Sequence, residues 1–153
     1  MAPMSMGSIE MKRVGIFEGG GISLAEALLE ARRSADLSRV GAIGCFIGIV
    51  REVADDGSRV KGLWFETERA MAERALQEIA DWAMGRPGIA DVRIYHKVGE
   101  LGPGEDIMYV IVSASHRREL FETMEMIIER IKREVPIWKK ELTEFGGRWV
   151  SSK

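Results

Sequence analysis

Apolar positions along the chain change several times between helical and alternating period, and these changes locate most of its elements. Leu24, Leu28 and Leu29 recur at helical spacing behind Ser23-Leu-Ala-Glu26, a capping-box pattern in which serine and glutamate satisfy free amides at a helix start. This short helix is predicted to fade through the polar residues 32–38. Residues 41–50 are almost wholly apolar and predict a buried strand, with Gly44 and Gly48 suited to bulges or to close approach by another backbone. Asp55-Asp56-Gly57-Ser58 predicts a tight turn, and residues 60–66 the strand that returns from it. Thr67 is the predicted cap of a helix whose buried stripe is Ala72, Ala75, Leu76, Ile79 and Ala83, stopped by Gly85-Arg-Pro-Gly88.

In the second half, Val92, Ile94, His96 and Val98 share one face of a strand, which makes His96 a packed histidine rather than a ligand. Residues 107–112 are apolar on both faces, as a central strand requires. A long helix is predicted over residues 116–135 with Leu120, Met124, Ile127, Ile128 and Ile131 buried, ended by Pro136 because the residue before proline is pushed out of helical geometry. The glycines at 19–21 lack a following lysine and predict a plain turn. Residues 1–10 carry methionines without period and are expected to be a flexible N-terminal segment ahead of one domain, residues 11–153. Strands and helices in mixed order with an early hairpin give the α+β class, a mixed sheet with flanking helices.

Composition narrows the function. Twenty-four acidic against 22 basic residues leave a net charge of −2, which gives no global field for nucleic acid, so any anion site has to be local. The single cysteine, Cys45, lies in the apolar strand and reads as an inert thiol. The start of the chain shows no leader pattern, and a cytoplasmic location is expected. His96 and His116 stand far apart and no paired Cys-x-x-Cys occurs, so no metal site is expected.

Two clusters could carry chemistry. Ser113-Ala-Ser-His-Arg-Arg118 places His116, Arg117 and Arg118 where the central strand meets the long helix. Cations there oppose the helix dipole, whereas a bound anion would be favoured by the free amides; a solvated basic turn and an anion site both fit. Lys132-Arg-Glu-Val-Pro-Ile-Trp-Lys139-Lys140-Glu141 surrounds the other end of that helix with ammonium groups. Lysine can bind phosphate as a point charge and, once desolvated, can exchange a proton near neutral pH. Lys132 alone is also explained as a dipole-favoured residue of a last turn.

Taken together, residues 41–51, the turn His96-Lys-Val-Gly-Glu-Leu101, Ser115-His-Arg117, Lys132 with Pro136-Ile-Trp-Lys-Lys-Glu141, and Arg148-Trp-Val150 resemble in order and spacing the large, catalytic subunit of molybdopterin synthase. The resemblance implies an α/β-hammerhead-like fold and a homodimeric core within a heterotetramer. It further implies a ubiquitin-like sulfur-carrier subunit at each end, whose C-terminal Gly-Gly thiocarboxylate enters the large subunit. The implied substrate is cyclic pyranopterin monophosphate, which receives two sulfurs to become the dithiolene of the molybdenum cofactor; no resident cofactor is implied. Carried over residue by residue, Lys132 and Lys139 match the family's catalytic lysines. Ile49, Val50, Arg51, His116, Arg117, Lys140 and Glu141 match its substrate-contacting positions. Lys153 is the nearest candidate for a basic residue of the C-terminal tail that closes the partner's site. Lys97 and Glu68 depart from the family pattern and carry no inference.

Overall fold

The computed structural model describes residues 11–150; the expectations for residues 1–10 and for Lys153 lie outside the described residues. The elements are β1 (Val14–Glu18), α1 (Leu24–Arg33), β2 (Ala42–Ile49), β3 (Val60–Thr67), α2 (Arg69–Met84), β4 (Ile89–Leu101), β5 (Asp106–Ala114), α3 (Arg117–Glu134), β6 (Ile137–Thr143) and β7 (Gly146–Val150). The α+β expectation holds. Seven strands form one mixed sheet in the order β2-β5-β4-β3-β6-β7, with β1 added parallel to β4 and the other pairs antiparallel.

Strand β4 joins two regions of this sheet. Its first part pairs with β5 and β1, and its last three residues, from Gly99, pair with β3. Gly99 has φ +89°, a conformation glycine adopts without the steric penalty of a Cβ, and it is there that the strand exchanges one neighbour for the other.

Helices α2 and α3 pack on one face of the sheet and α1 on the other. Alternation along β5 serves both layers: Val110 and Val112 enter the core beneath α2 and α3, while Tyr109 and Ile111 meet α1. Leu76 and Ile79 of α2 are fully buried, and each such side chain stabilises the fold by about 1.5–3 kcal/mol relative to exposure.

Several local expectations need correction. The cap of α2 is Glu68, whose carboxylate accepts from the Met71 amide at 2.7 Å; Thr67 stays in β3 and donates its hydroxyl to the Pro136 carbonyl. Strand β2 is half-buried rather than buried, because it pairs with β5 along one edge only and ends the sheet. Close approach at Gly44 is by side chains, Leu120 and Met124 of α3, where a Cβ would come within 3.0 Å of them. The chain after Pro136 continues at once as β6, which, like β1 and β7, went unpredicted.

Candidate active site

Pro136 ends α3, and the chain re-enters the sheet at once as β6, held at the junction by the Thr67 hydroxyl at 2.7 Å from the Pro136 carbonyl. This brings Lys132, in the last turn of α3, and Lys139, three residues into β6, to the wall of one cleft of about 470 Å³. The period-two alternation of β6 puts Glu141 on the same wall as Lys139. Across the cleft lie Ile49 and Arg51, carried by the end of β2. The register of β2 against β5 shifts between Gly48 and Ile49, and beyond that shift Ile49 stands 52% exposed. Phe46, Phe65 and Ile107 contribute apolar lining to the same cleft.

The electrostatics single out Lys139. Its pKa is lowered, first by burial and then by Lys132 and Arg51, against the opposing pull of Glu141 and Asp55. Glu141 itself accepts a hydrogen bond from Arg148 Nε at 2.9 Å, and Arg51 pairs with Asp55 at 2.8 Å. A desolvated ammonium held beside two further cations is suited to an anionic ligand and to proton exchange.

The remaining residues named from sequence lie elsewhere. Val50 is buried and joins the β5 approach through its backbone, donating to the Glu105 carbonyl at 3.0 Å and accepting from the Gly104 amide at 2.8 Å. Lys140 projects from the other face of β6, with Nζ 5.6 Å from the Trp149 ring. His116 is the N-cap of α3, without a side-chain capping bond, and Arg117 is the first helical residue; both are exposed. Fifteen residues of helix separate Arg117 from Lys132, about 22 Å at 1.5 Å per residue. One chain therefore does not present both basic clusters to one small molecule.

Two cleft residues escaped the sequence reading. Asp55 sits on the turn four residues beyond Arg51, a spacing that could have signalled the pair. His96 was read as packed, and it is: it is 5% exposed, stands edge-on to Phe65 at 5.2 Å between ring centroids, and has its Nδ1 2.7 Å from the Lys97 carbonyl. Burial pushes its pKa down to about 4, partly opposed by that carbonyl, so at neutral pH an uncharged ring closes the back of the cleft. Cys45 is half-buried with its pKa raised by burial and by Asp106, in keeping with an inert thiol. Among the described residues no cluster of His, Cys, Asp and Glu could hold a metal ion, and no helix is long and apolar enough to cross a membrane.

Comparison with known proteins identifies the family. The family model described as MoaE protein matches residues 21–134. The molybdopterin synthase catalytic subunit of Ralstonia nicotianae is 42% identical over 115 residues, 75% of this chain and 65% of that protein. The molybdopterin synthase catalytic subunit of Pyrococcus abyssi is 39% identical over 121 residues, 79% of this chain and 81% of that protein. A crystal structure of molybdopterin synthase from Staphylococcus aureus superposes with a TM-score of 0.80 at 33% identity, covering 92% of this chain and 98% of that one. The chain belongs to the MoaE family, whose matched members are molybdopterin synthase catalytic subunits.

Proposed function

We propose that this protein is the sulfur-transferring subunit of a molybdopterin synthase of the cytoplasm, with residues 11–153 as the working domain. Two sulfurs pass from the C-terminal thiocarboxylate of a small ubiquitin-like carrier to cyclic pyranopterin monophosphate, forming the dithiolene of the molybdenum cofactor. The observation that carries this reading is the convergence of Lys132 and the desolvated Lys139 on one cleft beside Arg51. Thiocarboxylate and pterin phosphate are both anionic. The cations offset their repulsion, and an ammonium can neutralise the charge that develops, or move a proton, as sulfur adds and the carrier's carboxylate departs.

Lys132 and Lys139 are the catalytic residues of this proposal. Ile49, Arg51 and Glu141 contact substrate from the same cleft, while Val50, just past the end of β2, and Lys140 of β6 hold the backbone that aims their neighbours. His116, Arg117 and Lys153 come from a second copy of the chain.

The supporting geometry for that second copy is the edge of β2 that pairs with no strand among the described residues. Arg117, Phe121, Ile128 and Lys132, at i, i+4, i+11 and i+15, share the flank of α3 that overhangs it, and Phe121 is 63% exposed. Antiparallel pairing of β2 with its own copy would cover this edge. It would also set the copy's Gly41 end beside Ile49 and Arg51. At that end the Gly41 amide donates to the Ala114 carbonyl at 2.8 Å and the Ser115 hydroxyl to the Arg39 carbonyl at 2.7 Å, so His116 and Arg117 travel with it.

Incubation of the pterin precursor and thiocarboxylated carrier with this protein, followed by detection of the dithiolene product, tests the function. Absence of product with a dimer that binds both reactants would overturn it.

A further inference from the structure

Arg148 stands on β7 directly opposite Glu141 of β6, and its guanidinium grips two carboxylates from different parts of the chain. Nε donates to Glu141 Oε1 at 2.9 Å, and Nη1 donates to Asp56 Oδ2 at 2.7 Å. Asp56 in turn accepts from the Ser58 amide and hydroxyl at 2.9 and 2.6 Å, which fixes the turn that also carries Asp55, the partner of Arg51. The planar fork of arginine suits this double grip; a lysine ammonium would serve the two acceptors as a single point charge.

The consequence falls on Lys139. The charged groups that face it are Glu141 from its own strand, Lys132 from α3, and Arg51 and Asp55 from the segment between β2 and β3. His96 of β4 lines the same cleft and is neutral. Glu141 is the carboxylate that most favours the charged form of Lys139, yet its partner is Arg148.

We propose that Arg148 is a positioning residue of the cleft: by holding Glu141 and Asp56 together, it withholds the Glu141 carboxylate from the Lys139 ammonium and keeps the Asp55 turn seated beside Arg51. Without Arg148, Glu141 is released on the wall it shares with Lys139 and is free to turn to that ammonium. An opposite charge brought within about 4–6 Å favours the ammonium, so the lysine holds its proton to higher pH.

The test is the titration of Lys139 Nζ in the full chain by lysine-selective NMR, with the signal assigned by Lys139→Arg. Arg148→Ala is expected to raise the Lys139 titration midpoint by about one pH unit or more. Adding Glu141→Gln to Arg148→Ala should abolish the rise and bring the midpoint to the parent value or below it, because the pull that Glu141 already exerts in the parent is lost as well, a reversal that loosened packing alone would not produce. Arg148→Gln, shorter, polar and uncharged, also breaks the double grip on Glu141 and Asp56 and gives the same reading should the alanine variant fail to fold. An unmoved midpoint in the arginine variants, or a rise that persists in the double variant, overturns the proposal. A matching displacement of the pH–rate profile rests on the role proposed above for Lys139; the titration does not, so a titration that moves while turnover keeps its profile would fault that role and leave the Arg148 assignment standing.

Discussion

Lys139 and Lys140, adjacent in sequence, project from opposite faces of β6, the first into the cleft and the second against the ring of Trp149 at 5.6 Å. Strand geometry makes this unavoidable, since successive side chains alternate across a sheet. Two lysines that look equivalent in the sequence thus meet different surroundings. One is desolvated beside Lys132 and Arg51, and the other lies in a shallow groove with Trp64 and Glu66.

A direct comparison follows from that separation. Lys139→Ala and Lys132→Ala should each lower single-turnover product formation at saturating precursor and carrier by about 10²-fold or more, the scale for one acid–base or electrostatic group. Lys140→Ala, which removes a cation–π contact on the far face of β6, should leave the saturated rate within about fivefold of the parent. Rapid-quench measurement of product decides it. Near-normal rates in both cleft variants would reduce Lys132 and Lys139 to binding residues.

Stability should carry the mark of His96. Its folded pKa is lowered to about 4 from an ordinary value of 6.5, so the unfolded chain binds the proton more readily and acid favours unfolding. The contribution is intact above pH 6.5 and is lost as pH falls from there toward 4, by at most about 3 kcal/mol over that window. Urea unfolding at pH 7 and pH 5 measures it. His96→Leu should flatten the difference between the two pH values, and an unchanged pH dependence in that variant would place the acid sensitivity elsewhere.

The sequence made the long elements legible and the cleft only half so. The stripes of α2 and α3 stood out because each buries one face against the sheet, and the central β5 because it is apolar on both. Strand β1, five residues beside a glycine-rich turn, is too short to set a period, and β7 pairs only with β6 and exposes most of its residues. Strand β6 was concealed by its composition: Trp138, Lys139, Lys140 and Glu141 read as a basic cluster although their alternation is that of a strand. The basic cluster was legible as a pattern and the family resemblance picked Lys132 and Lys139 from it; their meeting depends on the local helix-to-strand junction at Pro136. The sequence reading passed over Asp55, four residues beyond Arg51, and the separation of Arg117 from Lys132 that the predicted helix already implied; only the placing of Arg148 beside Asp56 depends on how remote segments dock.

The separation of Arg117 from Lys132 yields the most discriminating prediction. If each working site combines Lys132 and Lys139 of one chain with His116 and Arg117 of another, Arg117→Ala and Lys132→Ala damage the same site from different subunits. Truncating Arg117 removes charge-assisted hydrogen bonds to an anion, which at precursor concentrations below KM should cost roughly 10-fold or more in rate, with little change in thermal stability because the side chain is exposed. Each variant homodimer would then be deficient at both of its sites. In a mixed dimer, one site takes its lysines from the Arg117→Ala chain and its arginine from the Lys132→Ala chain, and is intact; the other carries both lesions. Random exchange makes half of the dimers mixed with one sound site of two, so about a quarter of parental activity should return on mixing two poorly active proteins. Activity after denaturation and joint refolding, against each variant refolded alone, measures this. A simple average of the two homodimers would mean that the clusters do not share a site across the interface, and that the anion bound near Lys139 never meets Arg117.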